Sequence, residues 1–219
     1  KTQQRSRQAT PKGDRVSQFC IDRNDHIWYG AGAHLVSLSN RKRYALESVE
    51  TWNNQIEKLY VDDENNIWIG TSRRGLYLWS PEAHHPSHLI ASLQPNTPLF
   101  VRDIIEVDPQ HLWIATEMGL IIYNRMSQQY SVQRHEKDNP WSLSDNALYT
   151  ITKDHQQGLW VGTFFGGLNY YHQQHNFFEK IFPRQSVNSI RGHATREIVE
   201  DAYHNIWIGT EDEGLTCWS

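Results

Sequence analysis

The sequence holds only two cysteines in 219 residues, Cys20 and Cys217. Two cannot build a disulfide framework, and no C-x-x-C spacing marks a metal or redox pair; both are expected to be packed thiols. No apolar run approaches the roughly 18–20 residues that a membrane helix needs, and the opening K-T-Q-Q-R-S-R-Q carries no apolar signal-peptide core. Positive charge is not in excess. With a formal net charge of −4, the chain lacks the basic footprint of a nucleic-acid binder. G-x-S-x-G, H-E-x-x-H and Gly-rich phosphate loops are also missing. The sequence therefore has no signature of a serine hydrolase, a zinc peptidase or a nucleotide enzyme.

Tryptophan, by contrast, is abundant: nine residues, within an aromatic content of 12%. Five of them anchor near-identical words: I-W-Y-G-A, I-W-I-G-T, L-W-I-A-T, L-W-V-G-T and again I-W-I-G-T, around Trp28, Trp68, Trp113, Trp160 and Trp207. The steps are 40, 45, 47 and 47 residues, a period that marks stacked structural repeats. An Asp stands five or six residues before each Trp (Asp22, Asp62, Asp108, Asp154, Asp201), and a large apolar residue three before the Asp (Phe19, Leu59, Ile105, Ile151, Ile198). A Leu follows the Trp, preceded by Gly75, Gly119, Gly167 and Gly214, or by His34 in the first unit.

Each piece has a physical reading. The segment ending at the Asp is a strand. The Asp opens a tight turn because its carboxylate can bond its own backbone two residues on. The Trp run is a second strand, apolar on both faces and hence covered on both. The Gly before Leu suits a hairpin needing positive φ, a conformation His34 tolerates better than most residues. A third strand follows (76–79, 120–123, 168–171, 215–218), with a fourth at 129–132 and 176–182. Four antiparallel strands per unit, buried between neighbours, define an all-β β-propeller with blade signatures at about 16–38, 56–79, 102–123, 148–171 and 195–218. Residues 1–12 form a flanking segment or outer strand. The five tryptophans are expected to be largely buried between blades. Five units read as a stretch of a larger propeller, with a five-blade ring closed by residues 1–10 as the alternative. An uncompleted stretch exposes apolar faces, so self-association is expected.

The consensus I-x-x-D-x-x-x-x-(I/L)-W-I-G-T-x-x-x-G-L, with the lead-in N-P-W-S-L-S-D-N-A-L at 139–148, resembles the two-component regulator propeller repeat over residues 16–218. The resemblance implies a ligand-sensing, non-catalytic domain, on the periplasmic or extracellular side of a bacterial inner-membrane receptor. Membrane contact would come only through parts C-terminal to this sequence. Two alternatives are a propeller lyase of the streptogramin-lyase type, for which His193 and His34 are the available histidines, and a protein–protein interaction scaffold.

No cofactor and no metal site are expected. His84, His85 and His88 lie in a Pro-flanked loop, and His26, His111, His155 and His204 decorate the Asp turns. Binding is the better expectation, because loops held by a rigid scaffold carry function. The loops between second and third strands differ while the frame repeats. Arg73 and Arg74 form a cationic clamp, Phe164 and Phe165 a stacking platform, and Glu211, Asp212 and Glu213 an acidic loop. Six residues before the Asp stand Val16, Ile56, Arg102, Leu148 and Thr195; Arg102 interrupts that apolar column. Asn54, Asn146 and His193 align just upstream. Arg73, Arg74, Arg102, Asn146, Phe164, Phe165, His193 and Arg196 are the candidate ligand-binding set. The expected ligand is a small anionic, ring-containing molecule such as an acidic carbohydrate.

Overall fold

Every described strand runs antiparallel to its neighbour within a sheet, and the sheets follow one another in sequence order. The computed structural model describes residues 10, 14–47, 53–171, 189–192 and 194–218. The first sheet is β1 (Val16–Ile21), β2 (Ile27–Ala31), β3 (His34–Ser37) and β4 (Arg43–Ala45). The second is β5 (Ile56–Val61), β6 (Ile67–Thr71), β7 (Leu76–Trp79) and β8 (Ser87–Ile90). The third is β9 (Val101–Asp108), β10 (His111–Thr116), β11 (Gly119–Asn124) and β12 (Gln129–Gln133). Three described strands form the fourth, β13 (Leu148–Lys153), β14 (Leu159–Thr163) and β15 (Leu168–Tyr171), and three the fifth, β16 (Thr195–Glu200), β17 (Ile206–Thr210) and β18 (Gly214–Trp218). These are the blades of a β-propeller. The fourth strand expected at 176–182 lies outside the described residues, as does the 1–12 flank except Thr10.

The chain forms two compact units. The larger comprises 1–135 and 143–171 and contains the first four sheets; the smaller comprises 136–142 and 172–219 and contains the fifth. Within the larger unit the first strands of successive sheets lie side by side, β1 with β5, β5 with β9 and β9 with β13. Three apolar layers separate the four sheets, built around Ile56 and Ile69, then Val101 and Ile114, then Leu148 and Val161.

The repeated word explains itself in this setting. The aliphatic residues flanking the Trp, Ile67 and Ile69 of β6 and Leu112 and Ile114 of β10, fill one layer and the intervening Trp fills the next. Three of the tryptophans meet an aromatic on the third strand of the following sheet: Trp28 with Trp79 at 4.4 Å, Trp68 with Tyr123 at 5.5 Å, Trp113 with Tyr171 at 5.1 Å. The small residue after the Trp makes room for the next sheet. A Cβ on Gly30 would fall 2.8 Å from Ile56 Cβ, and one on Gly70 would fall 2.5 Å from Val101 Cγ1. The Thr after it closes the hairpin, its hydroxyl donating to the carbonyl of the Gly before Leu: Thr71 to Gly75 at 3.0 Å, Thr116 to Gly119 at 2.6 Å.

The Asp does more than open a turn. One carboxylate oxygen of Asp62 accepts the Glu64 and Asn66 N–H groups at 3.0 and 2.8 Å, and the other accepts the indole N–H of Trp68 at 2.8 Å. The same clasp joins Asp22 to Trp28 (2.9 Å), Asp154 to Trp160 (2.9 Å) and Asp201 to Trp207 (2.8 Å). In the third sheet the Asp sits one residue nearer the Trp, and Asp108 holds the His111 ring at 3.0 Å instead.

Four sequence expectations change. Trp28, Trp68 and Trp113 are buried, but Trp160 and Trp207 are only half-buried. Cys20 is half-buried, with its thiol pushed up to about 12 by burial and then by the Asp22 charge, whereas Cys217 is exposed rather than packed. His34 needs no left-handed backbone: Gly32 takes it (φ 58°), and His34 starts β3 opposite Ala45. His88 is no loop residue but part of β8, its ring lying flat on Tyr77 at 4.1 Å.

Two outcomes follow from this packing. Gly70→Ala should destabilise the larger unit by about 1–3 kcal/mol through overpacking. Gly209→Ala, whose Cβ would meet nothing nearer than 3.8 Å, should be close to neutral; equal melting temperatures for the two variants would refute the fit. The clasps also set acid sensitivity. The Trp207 N–H, then Asn205, hold Asp201 down to about 2, and the Trp160 N–H leads in lowering Asp154. At Asp22 burial raises the value, but bonds from Trp28 and the turn backbone outweigh it. A depressed folded value stabilises fully above the ordinary carboxylate range near pH ~4 and is lost as pH falls through the folded value. Melting temperature should therefore fall between about pH 4 and about pH 2, and less steeply in the Asp154→Asn/Asp201→Asn variant.

Candidate ligand-binding mouth

Strand register places the Asp turns at one end of each sheet and the hairpins after the Thr at the other. At the hairpin end the first strand of every sheet carries a β-bulge, between Val16 and Phe19, Ile56 and Lys58, Val101 and Asp103, Leu148 and Thr150, and Thr195 and Glu197. A bulge bends the strand and re-aims one side chain. Counted back from the Trp, the bulge positions are Ser17, Glu57, Arg102, Tyr149 and Arg196. The first residues of the facing hairpins are Gly32, Ser72, Glu117, Phe164 and Glu211.

These two positions meet in successive sheets with different chemistry. Arg102 binds Glu117 through Nε at 3.2 Å and through Nη2. Tyr149 and Phe164 face each other at 6.0 Å between ring centroids. In the smaller unit Arg196 binds Glu211 through two nitrogens, at 3.0 and 2.7 Å, and that bond raises the Arg196 pKa. Backbone bonds hold each pair in place, because the N–H of the hairpin residue donates to the residue before the bulged strand: Glu117 to Phe100, Phe164 to Ala147, Glu211 to Ala194.

Arg102 thus does not interrupt an apolar column. The third sheet's Asp is one residue closer to its Trp, so counting from the Asp lands one position late. Val101 is the true equivalent of Ile56 and Leu148, and all three are buried. Arg102 occupies the bulge, with its guanidinium 3.7 Å from the Phe100 ring centroid and 5.0 Å from that of Tyr149. Tyr149, Glu117 and Phe100 were overlooked; the count of eleven residues before Trp160 and four after Trp113 would have found the first two.

The remaining candidates divide. Arg74 is engaged by Glu47 at 2.9 Å. Arg73 is exposed, and among the described residues its guanidinium has no carboxylate partner. Asn146 ties down its own loop, its side-chain oxygen accepting the His135 N–H at 2.8 Å. Phe164 and Phe165 pack edge to face at 4.6 Å, and Phe165 is 86% exposed. His193 lies outside the described residues. Direct contacts therefore join Arg102, Tyr149, Phe164 and Phe165 across the third and fourth sheets, and Arg73 and Arg74 belong to the second sheet's hairpin at the same end. The anionic-clamp expectation weakens, because Arg74, Arg102 and Arg196 already hold carboxylates.

Beneath the mouth, Asp103 links three first strands. It pairs with Lys58 at 2.6 Å and accepts the Thr150 hydroxyl and the Ile151 N–H, each at 2.9 Å.

Residues 52–73 and 142–165 match the family model described as "Two component regulator propeller". Among solved structures it is similar to one described as the extracellular domain of the hybrid two component system BT3049 from B. thetaiotaomicron, at 22% identity and a TM-score of 0.62, covering 97% of this chain and 28% of that one. It is likewise similar to the corresponding domain of BT4673 from the same organism, at 25% identity and a TM-score of 0.57, covering 95% and 28%. YCF48 from Cyanidioschyzon merolae shares the fold at 14% identity and a TM-score of 0.55, over 96% and 68%. The chain thus spans little more than a quarter of the first two. No curated protein matches.

Asp103→Ala would strip partners from Lys58, Thr150 and Ile151 together. It should cost on the order of 3 kcal/mol, measured by urea unfolding. A loss under about 0.5 kcal/mol, the range of ordinary surface substitutions, would show that the three strands do not depend on it.

Proposed function

We propose that this chain is the ligand-sensing, extracytoplasmic part of a bacterial membrane signal-transduction protein, with no catalysis of its own. One observation carries the proposal: the frame repeats from sheet to sheet, while the bulge and hairpin pair changes from Arg·Glu to Tyr·Phe and back. A scaffold held constant with a varied mouth serves recognition. Two further facts support the sensory assignment and the location, namely the family description and the extracellular domains to which the chain is similar. Ion-paired arginines and aromatic rings bind and orient; they are not poised to move protons. The ligand is a small ring-containing molecule, carbohydrate included, and any acidic group on it would meet Arg73, a cation with no carboxylate partner among the described residues. Self-association belongs to the same proposal, supported by exposed Leu168 and Tyr170 on β15 and exposed Leu215 on β18.

The test is a thermal-shift screen of the purified chain against neutral and acidic sugars. A ligand at 100 times its Kd should stabilise by about 2.7 kcal/mol. Phe164→Ala/Phe165→Ala should weaken the best hit about tenfold or more, as loss of an aromatic anchor does. A hit that survives that change displaces the site, and a hit that is turned over refutes the non-catalytic assignment.

A further inference from the structure

The charges at the mouth say more than its shape. The Arg102 guanidinium lies against the Phe100 and Tyr149 rings and carries Glu117 along its edge. Glu117 remains about half exposed, more so than Arg102. An anion approaching that guanidinium therefore meets the carboxylate first. Other charges nearby are also committed. Asp103 belongs to Lys58, the Arg134 Nε donates to the Met118 carbonyl at 3.1 Å, and Asp145 accepts the N–H groups of Ala147 and Phe165, each at 3.2 Å. The backbone that carries Phe164 and Phe165 is held in place. Thr163 closes their hairpin on the Gly167 carbonyl at 2.9 Å, and a Cβ on Gly166 would fall 2.6 Å from the Ser144 carbonyl oxygen, so the loop lies tight against its neighbour.

We infer that Phe100, Arg102, Tyr149, Phe164 and Phe165 form one charge-compensated stacking strip for an uncharged ring, and that Glu117 sets this selectivity by occupying the Arg102 guanidinium. The inference rests on the hairpin end being the ligand face. A neutral flat face gains from stacking on rings and on a guanidinium plane. An anion would have to displace Glu117 and leave that carboxylate without its cation. Glu117 acts through Arg102, so it is a positioning residue.

Two fluorescent probes that share one ring system test the rule: phenylnaphthylamine, which is neutral, and anilinonaphthalene sulfonate, which is anionic. The binding of interest is the component lost in Phe164→Ala/Phe165→Ala, which removes background from other apolar surfaces. In the wild type this component should favour the neutral probe. Glu117→Gln should raise the sulfonate-to-neutral affinity ratio about tenfold or more, the scale of one charge-assisted hydrogen bond. Glu117→Asp should keep the wild-type ratio, and Glu117→Gln with Arg102→Gln should abolish the gain. A ratio unmoved by Glu117→Gln, or wild-type sulfonate binding that Arg102→Gln weakens, overturns the charge rule alone. If neither probe responds to Phe164→Ala/Phe165→Ala, the ligand face falls as well.

Discussion

A strand that is apolar on both faces must be covered on both, and the architecture of the larger unit follows from that demand. Trp68 and Ile69 are neighbours on one strand yet belong to different apolar layers. Neither layer can form until a second sheet arrives, so no sheet is stable alone. The small residue after the Trp sets how close that sheet comes. Where Gly30 and Gly70 stand, Ile56 and Val101 of the next sheet press in to the distance at which a Cβ would clash. The Asp–indole clasp meets the other requirement. A Trp buried between sheets still carries an N–H, and an unsatisfied buried donor costs about 1–3 kcal/mol. The turn carboxylate satisfies it with the oxygen its backbone bonds leave over.

That frame explains why variation gathers where it does. Positions that contact a neighbouring sheet are fixed by volume, and positions in the Asp turn by hydrogen bonding. The bulge residue is subject to neither constraint. It is the extra residue of its strand, and in the second to fourth sheets it directly follows a buried apolar residue, Ile56, Val101 or Leu148. Arg102, Tyr149 and Arg196 can therefore differ without disturbing Val101, Leu148 or the layers below. The side chains at the mouth can therefore change at little cost in stability.

Much of this was legible in sequence because the frame is written in distinctive residues. Trp, Gly, Thr and Asp at constant spacing gave the sheets, the hairpins and the turns. Two kinds of element escaped. The short outer strands β4 and β8 contain R-Y-A and S-H-L-I, and an edge strand with one exposed side needs little apolar patterning. The mouth was partly misread because the Asp served as the ruler. In the third sheet a tighter turn, Asp108-Pro109-Gln110-His111, moves the Asp one residue toward the Trp. The Trp is the better ruler, since its position is fixed by packing on two sides. A turn can shorten by a residue and still close.

The arginines and lysines show a further limit of reading charge from sequence. Several of the cations in the larger unit are spent on a neighbouring sheet. Arg23 reaches the second sheet's turn, bonding the Asp62 carbonyl at 3.2 Å and also the Asp63 carboxylate. Lys153 caps the Val107 carbonyl at 2.8 Å, and Lys58 reaches Asp103. Arg125, nearly buried, spans Asp62 and Glu106, each at 3.1 Å. An exposed pair such as Arg23–Asp63 adds at most about 1 kcal/mol. Breaking a buried one such as Arg125–Asp62 costs about 3–5 kcal/mol, so that cation is part of the fold. Arg125 also secures the carboxylate that clasps Trp68, and its charge supports the layer between the second and third sheets from the Asp-turn end. Lys58, Arg125 and Lys153 therefore serve to join sheets. A cation with no carboxylate partner among the described residues, as Arg73 is, remains available to a charged ligand.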